Sequence, residues 1–288
     1  MFGASPGAMS RTVLAWVVER VDAGERVAMA SVISASGSVP GKPGARLAVS
    51  SDGTKFGTVG GAGLEMMVEN ALRDLLKVSA SETRKIGGRV ETFILHKDGK
   101  GKEAVALDSL CGGRVTVAME VVEPVPHILI SGGGHVGRSV AIVCDTLGWK
   151  HSVFDVRKEF ANDDRYPFAE EIHSGPVSDF FNSGGGKSIS RFTDVLILGH
   201  DWEVDQEFLI GCLKRNSDGA ARIGVIGSTN KWKGFRDAAI KSGIDEMELS
   251  SARCPIGLDI GADSPEEIAV AICAEILAME RMPNSDED

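Results

Sequence analysis

Positive charge is scarce in this chain of 288 residues: 31 Lys and Arg stand against 41 Asp and Glu, giving a formal net charge of -10 and a pI near 5.2. A protein that grips nucleic-acid phosphates needs clustered cations, and no such cluster occurs, so a nucleic-acid partner is excluded. Hydrophobic residues make up 43% of the chain, yet no run of them approaches the roughly 18–20 residues of a membrane span. Met1 to Ser10 lack the basic start and apolar stretch of a secretory leader, which points to a cytoplasmic protein without a membrane partner. Five cysteines, an odd number without paired spacing, fit reduced thiols rather than a disulfide framework. The HExxH, CxxC and paired Cys/His spacings of zinc sites are missing too. The first nine residues and the acidic end after Pro283 read as frayed tails.

What the chain does have is a phosphate cradle near its middle. Pro126-His-Ile-Leu-Ile-Ser131 reads as a buried parallel strand, and Gly132-Gly133-Gly134-His135-Val136-Gly137 as a tight turn that lets backbone approach an anion. A helix follows, with Val136, Val140, Val143, Cys144 and Leu147 on one face, and its free N–H groups and positive dipole end suit a phosphate. A second strand over Ser152 to Val156 carries Asp155, where a carboxylate would accept from a ribose hydroxyl and repel a 2′-phosphate. The alternative is that these glycines only pack helix on sheet. The ligand's identity stays open on these residues alone.

Two domains suit a chain of this length, 10–123 and 124–282, with Pro124 and Pro126 marking the boundary. The first reads as a smaller α+β domain. It has a helix over Thr12 to Val21, strands over Arg26 to Ser34, Val90 to Leu95 and Arg114 to Val122, and a hairpin of Arg46 to Ser50 with Lys55 to Val59. After Gly60-Gly61-Ala62-Gly63 comes a helix with Leu64, Met67, Val68, Ala71, Leu72, Leu75 and Leu76 on one face, and Met66 and Met67 read as packing residues in it. The second domain alternates strand and helix, with further strands at Glu171 to His173, Asp194 to Leu198 and Arg222 to Ile226, and helices at Asp205 to Asn216 and Lys231 to Ser242. That order makes it α/β, a doubly wound parallel sheet. Ser264, Pro265 and Glu267 form a capping box before a last helix over Ile268 to Leu277, apolar almost all round and therefore expected to be buried, between domains or subunits.

Cys144, Cys212 and Cys273 fall on helices among aliphatic neighbours and read as small core hydrophobes. Cys111 sits in a loop beside Gly112 and Gly113, where exposed N–H groups would stabilise a thiolate, and Cys254 stands before Pro255; a buried structural thiol is the alternative for each. Gly184-Gly-Gly186-Lys187-Ser188 resembles a phosphate loop but has Phe181 where the motif's first glycine belongs, so it reads as a surface loop. His135, His200-Asp201 and Gly227-Ser228 all fall on the carboxyl edge of the sheet, the last pair as pocket wall.

Together these segments resemble the XdhC/CoxI family, the accessory factors of xanthine dehydrogenase and related molybdenum hydroxylases, over about Arg11 to Ala278. The most specific pieces are Gly37-Ser-Val-Pro40, Gly57-Thr-Val-Gly60-Gly61, Cys111-Gly112-Gly113, Gly132 to Gly137, Ile226-Gly-Ser228 and Pro255 to Ala262. Departures are Gly41, where the family usually has Arg, Ala62 in the glycine run, and Gly199-His200-Asp201-Trp202, which has one histidine fewer; Gly41 and Trp202 fall in expected pocket regions. The resemblance implies an XdhC/CoxI-type N-terminal domain, a C-terminal Rossmann-like domain, and a chaperone that binds molybdenum cofactor (molybdopterin) during sulfuration and delivers it to an apo-molybdenum hydroxylase. It implies a cysteine desulfurase as second partner and a homodimer. In this reading Cys111 meets the metal end of the cofactor, residues 132–137 hold its phosphate in an interdomain cleft, and no residue is catalytic. A competing reading is an NAD-dependent oxidoreductase, supported by the glycine loop and Asp155 but lacking an acid–base pair beside them. A third is a nucleotide-sensing regulator.

Overall fold

The computed structural model describes residues 6–78, 87–95, 105–106, 113–183, 189–216 and 221–281, and the chain divides after Pro124 into two compact units. The first is built on a six-stranded sheet of β1 (Val27–Gly37), β2 (Arg46–Ser50), β3 (Lys55–Thr58), β4 (Arg89–Leu95), β5 (Val105–Ala106) and β6 (Gly113–Val122), in the order β3-β2-β1-β6-β4-β5. Every neighbouring pair is antiparallel except β4 with β5. Strand alternation explains why the sheet carries a helix on each face. Val27 and Met29 of β1 join Val13 and Val17 of α1 (Pro6–Asp22), while Ala28, Ala30 and Val32 join Leu64, Val68 and Leu72 of α2 (Ala62–Lys77).

Two details differ from the sequence reading of this unit. Helix α1 starts at Pro6 rather than Thr12, because proline suits a first helical turn, where its missing N–H costs nothing. Met67 packs against the α2 core as expected, but Met66 is 61% exposed, since one residue along a helix rotates the side chain to the other side.

The second unit is a six-stranded, wholly parallel sheet of β7 (His127–Ser131), β8 (Lys150–Asp155), β9 (Glu171–Ser174), β10 (Asp194–Ile197), β11 (Arg222–Val225) and β12 (Ala252–Arg253). The order β9-β8-β7-β10-β11-β12 reverses direction between β7 and β10, which is the Rossmann arrangement with its switch point there. Helices cover both faces. Ile128 and Ile130 pack with Val140 and Cys144 of α3 (His135–Leu147) and with Ile272, Cys273 and Ile276 of the last helix, Pro265–Arg281. Leu129, between them, faces Phe180, Phe208 and Phe235 on three other helices. These are α4 (Val177–Asn182), α5 (Trp202–Leu213) and α6 (Thr229–Lys241), followed by α7 (Glu246–Ser250) and then the last helix, α8.

Side-chain caps fix where several of these helices begin. The Asp201 carboxylate accepts from the N–H groups of Glu203 and Val204, Ser228 caps α6, and Asp245 closes a capping box with Glu248. Ser264 and Glu267 form the expected capping box at α8. That helix is not buried all round, however: Ala269, Ala271, Ile272, Cys273 and Ile276 are inside, but Val270 is 52% exposed. Leu147, placed on the inner face of α3, is also exposed, because it is the last residue before the left-handed Gly148 that ends the helix.

Candidate anion-binding site

The glycine turn joins β7 to α3 and all but one of its glycines are needed by the fold. A Cβ on Gly132, whose φ is 109°, would lie 2.6 Å from the Gly199 nitrogen; on Gly133, 2.1 Å from the Phe160 carbonyl oxygen; on Gly137, 2.2 Å from the Gly132 oxygen. Gly134 is different. It is the N-cap of α3 with a φ of -69°, which any residue adopts, and nothing lies within 4 Å of where its Cβ would be. Of the four glycines in this turn, it alone is required by neither a positive φ nor an internal contact. No side chain caps the helix that starts beside it, so the N–H groups of its first turn face outward at the positive end of the helix dipole. Open space at such a position suits a ligand's phosphate.

The other side of the turn is braced by residues 155–166. The Gly133 N–H donates to Asp155 Oδ2 at 2.9 Å, and the Gly133 carbonyl accepts from Tyr166 Oη at 2.9 Å and Arg165 Nε at 3.0 Å. Arg165 also donates to the Gly134 carbonyl at 3.0 Å. Asp155 stands at the end of β8, as the sequence suggests, but its carboxylate is already filled. Besides Gly133 it accepts from the Arg157 N–H (2.9 Å), Nε (2.9 Å) and Nη2 (3.0 Å). Burial pushes its pKa up, and these hydrogen bonds with the Arg157 charge outweigh burial, so the carboxyl lies below its ordinary value.

Gly132 also walls a narrow cleft at the carboxyl ends of β7, β8 and β10, with Phe154, Asp155, Arg157, His200, Asp201 and Asp205 around it. This is the switch point of the sheet, where ligands of such folds bind. Buried Asp205 pairs with Lys231 Nζ at 2.8 Å, and it approaches so closely that a Cβ on Gly199 would touch its Oδ1. Burial raises the Asp205 pKa above its usual range despite Lys231.

The structure gathers some of the expected residues and scatters others. His200 lines the cleft, whereas His135 is exposed on the first turn of α3 and Val136 is half-buried against the helix core, neither among the cleft walls. Gly227 borders a separate apolar groove with Ile226 and the stretch Pro255 to Ala262, and Ser228 is spent on capping α6. Trp202 is a packing residue rather than a pocket one: its ring lies 4.7 Å from Phe235 and over Gly234. At Gly41 a side chain would meet the Val59 carbonyl, so the arginine usual at that position has no room. Cys144, Cys212 and Cys273 are buried free thiols, and Cys254 is half-buried with Sγ 3.7 Å from the Gly227 oxygen. Cys111 and the loop Gly184 to Ser188 lie outside the described residues. Arg157 and Arg165 were missed by sequence reasoning, although an arginine two residues past the acidic end of the second strand was a signal in plain sight.

The model of the XdhC Rossmann domain matches residues 128–276, and that of the XdhC and CoxI family matches residues 20–87. The chain belongs to the XdhC and CoxI family. This family member is 29% identical over 251 residues to the uncharacterized protein YqeB of Escherichia coli, covering 87% of this chain. It is 26% identical over 156 residues, 54% of the chain, to a probable xanthine dehydrogenase subunit from Bacillus subtilis. Each match spans 43% of the relative's length. The crystal structure of a xanthine dehydrogenase from Bacillus halodurans aligns over 99% of this chain and 98% of its own, at 19% identity and a TM-score of 0.47. Among the described residues, no helix is long and apolar enough to cross a membrane, and no group of three or more His, Cys, Asp or Glu is placed to hold a metal ion.

Proposed function

We propose that this protein is an accessory factor that holds molybdenum cofactor while its terminal sulfur is installed and then hands it to a xanthine dehydrogenase-type apo-enzyme. Family membership and the name of the Bacillus subtilis relative support an accessory role beside such an enzyme. The observation that carries the binding step is Gly134, a glycine with no internal reason to be one, at the uncapped start of α3. The phosphate of a pyranopterin fits there, held by the first-turn N–H groups of His135, Val136 and Gly137, with Arg165 fixing the turn from behind. When bound, the cofactor itself supplies the redox chemistry of molybdenum; the chain's residues hold and orient it. Cys111 is assigned to its metal end by family resemblance. A homodimer and a cysteine desulfurase partner belong to the same proposal.

Expression in a host that makes molybdenum cofactor, followed by oxidation and pterin fluorescence with metal analysis, tests this. Wild type is expected to carry pterin and molybdenum, and Gly134→Ala, with a methyl where the phosphate would approach, to carry at least about tenfold less while melting like wild type. Wild type free of both overturns the proposal. The oxidoreductase reading draws support from the strand order, but the filled acceptors of Asp155 weigh against a nicotinamide site of the usual kind.

A further inference from the structure

At the end of β8 the hydrogen-bonding capacity left unused has one sign. A carboxylate offers about four acceptor positions, and Asp155 receives four donors from Gly133 and Arg157. Across the cleft, Asp201 accepts the N–H groups of Glu203 and Val204 on Oδ1, and Asp205 accepts from Lys231 on Oδ2. The carboxylate at the end of β8 is therefore satisfied from within the chain. Arg157 is not: of its five side-chain N–H donors, one on Nε and one on Nη2 go to Asp155, and no other hydrogen-bond partner is found for it among the described residues. Its guanidinium carbon sits 3.9 Å from the Phe160 ring centroid, so stacking below and the carboxylate on one edge hold the plane still. The side chain is 31% exposed and borders the cleft beside Asp155 and Asp201. An arginine fixed in this manner presents its free edge as a fork for a phosphate.

We propose that Arg157 makes the ribose end of this cleft a phosphate-selective subsite, one that takes a nucleotide bearing a 2′-phosphate in preference to one with a free 2′-hydroxyl. The place at the end of the second strand where a free carboxylate would accept from a ribose hydroxyl is occupied by an ion pair, and the partner with donors to spare is the cation. A free 2′-hydroxyl finds no open acceptor there, whereas a phosphate finds N–H donors already oriented. The inference rests on the cleft being a site for a phosphorylated ligand, not on a pterin being that ligand.

The test is calorimetric titration of the full chain with adenosine 2′,5′-bisphosphate and with adenosine 5′-monophosphate, two probes that differ only in the 2′-phosphate. Wild type is expected to bind the bisphosphate at least about tenfold more tightly, and Arg157→Gln to reduce that preference to less than about threefold without weakening the monophosphate. Because Arg157→Gln leaves the buried Asp155 charge without its cation, the pair Asp155→Asn with Arg157→Gln serves as a second variant that restores neutrality; it too should lose the preference. Equal binding of the probes by wild type, no binding of either, or a preference that survives both variants overturns the inference. Pterin content of the same wild-type preparation is read separately. Pterin present with no phosphate preference defeats the subsite alone, while a preference without pterin defeats the cofactor proposal alone.

Discussion

The two units use the same materials differently. In the antiparallel sheet, strand ends alternate between opposite edges, and glycines serve internal contacts: a Cβ on Gly57 would lie 2.3 Å from the Arg46 oxygen and one on Gly41 2.3 Å from the Val59 oxygen. In the parallel sheet, all carboxyl ends share one edge, so the turn after β7, the end of β8 and the loop after β10 converge with two helix starts. Convergence concentrates backbone donors and charged side chains in one cleft, and it leaves one glycine, Gly134, free of internal duty. Parallel topology, rather than composition, is what gives the second unit its candidate site.

The sharpest way to break this comparison is at its buried charges. Lys231→Met leaves Asp205 buried and unpaired in the parallel unit, and a loss of about 3–5 kcal/mol in denaturant unfolding is expected. Burial already holds the Asp205 pKa above its unfolded value, so its protonated form is favoured in the fold and its contribution to stability fades as pH rises through that raised pKa. The variant should therefore recover part of its loss on acidification, and a deficit that stays constant with pH refutes the buried-charge account. Gly133→Ala forces a methyl against the Phe160 carbonyl and should cost about 1–3 kcal/mol in the same assay, with hydrogen exchange accelerated across 132–166.

Acid should separate the units next. Burial, helped by the Arg191 charge, lowers the His127 pKa to about 4, so this ring stays neutral in the fold while its unfolded counterpart takes up a proton near 6.5. Stability from that neutral ring is present above 6.5 and is lost as pH falls towards 4; buried His151 shifts in the same direction. The described part of the first unit contains no histidine, so hydrogen exchange between pH 7 and 4.5 should rise in residues 125–281 before it rises in 6–122, and His127→Gln should narrow the gap. In the first unit, Arg26 forks onto Glu123 at 2.8 Å and donates to the carbonyls of Leu76 and Val78 that end α2; Arg26→Met should cost roughly 1–2 kcal/mol. Smallest of all is Lys77→Ala, which removes a solvent-screened pair with Asp74 and should leave the denaturant midpoint where wild type has it.

How far the sequence could be read depends on whether the signal is local. Ile128-Leu-Ile130 is apolar throughout because a parallel strand has helices on both faces, and Ser264 with Glu267 announces its helix start within four residues. That the second unit is a doubly wound parallel sheet followed from the alternation of such local patterns. By contrast, β5 and β12 have two residues each and exist only by virtue of their neighbours, so no periodicity marked them. Met66 and Met67 look alike in sequence and separate only when the helix is rotated into its packing position. The cleft was half legible. Its glycines and Asp155 were visible, but the Arg157 clamp that fills Asp155, and the shelf of Phe160, Arg165 and Tyr166 behind Gly133, depend on how residues 157–166 fold back over the turn.

By itself, then, the amino-acid order determined the alternation of strand and helix, the apolar faces that bury, and the glycine turn with its helix start, because each is written in contacts between residues a few positions apart. Only tertiary structure decided which of three adjacent glycines stands open to a ligand and whether the acidic residue beside them is free or taken. The first outcome turns on distances of 2 to 3 Å between segments more than twenty residues apart, such as Gly133 and Phe160; the second turns on how the chain bends after β8 to bring Arg157 back onto Asp155, a conformation that spacing alone does not encode.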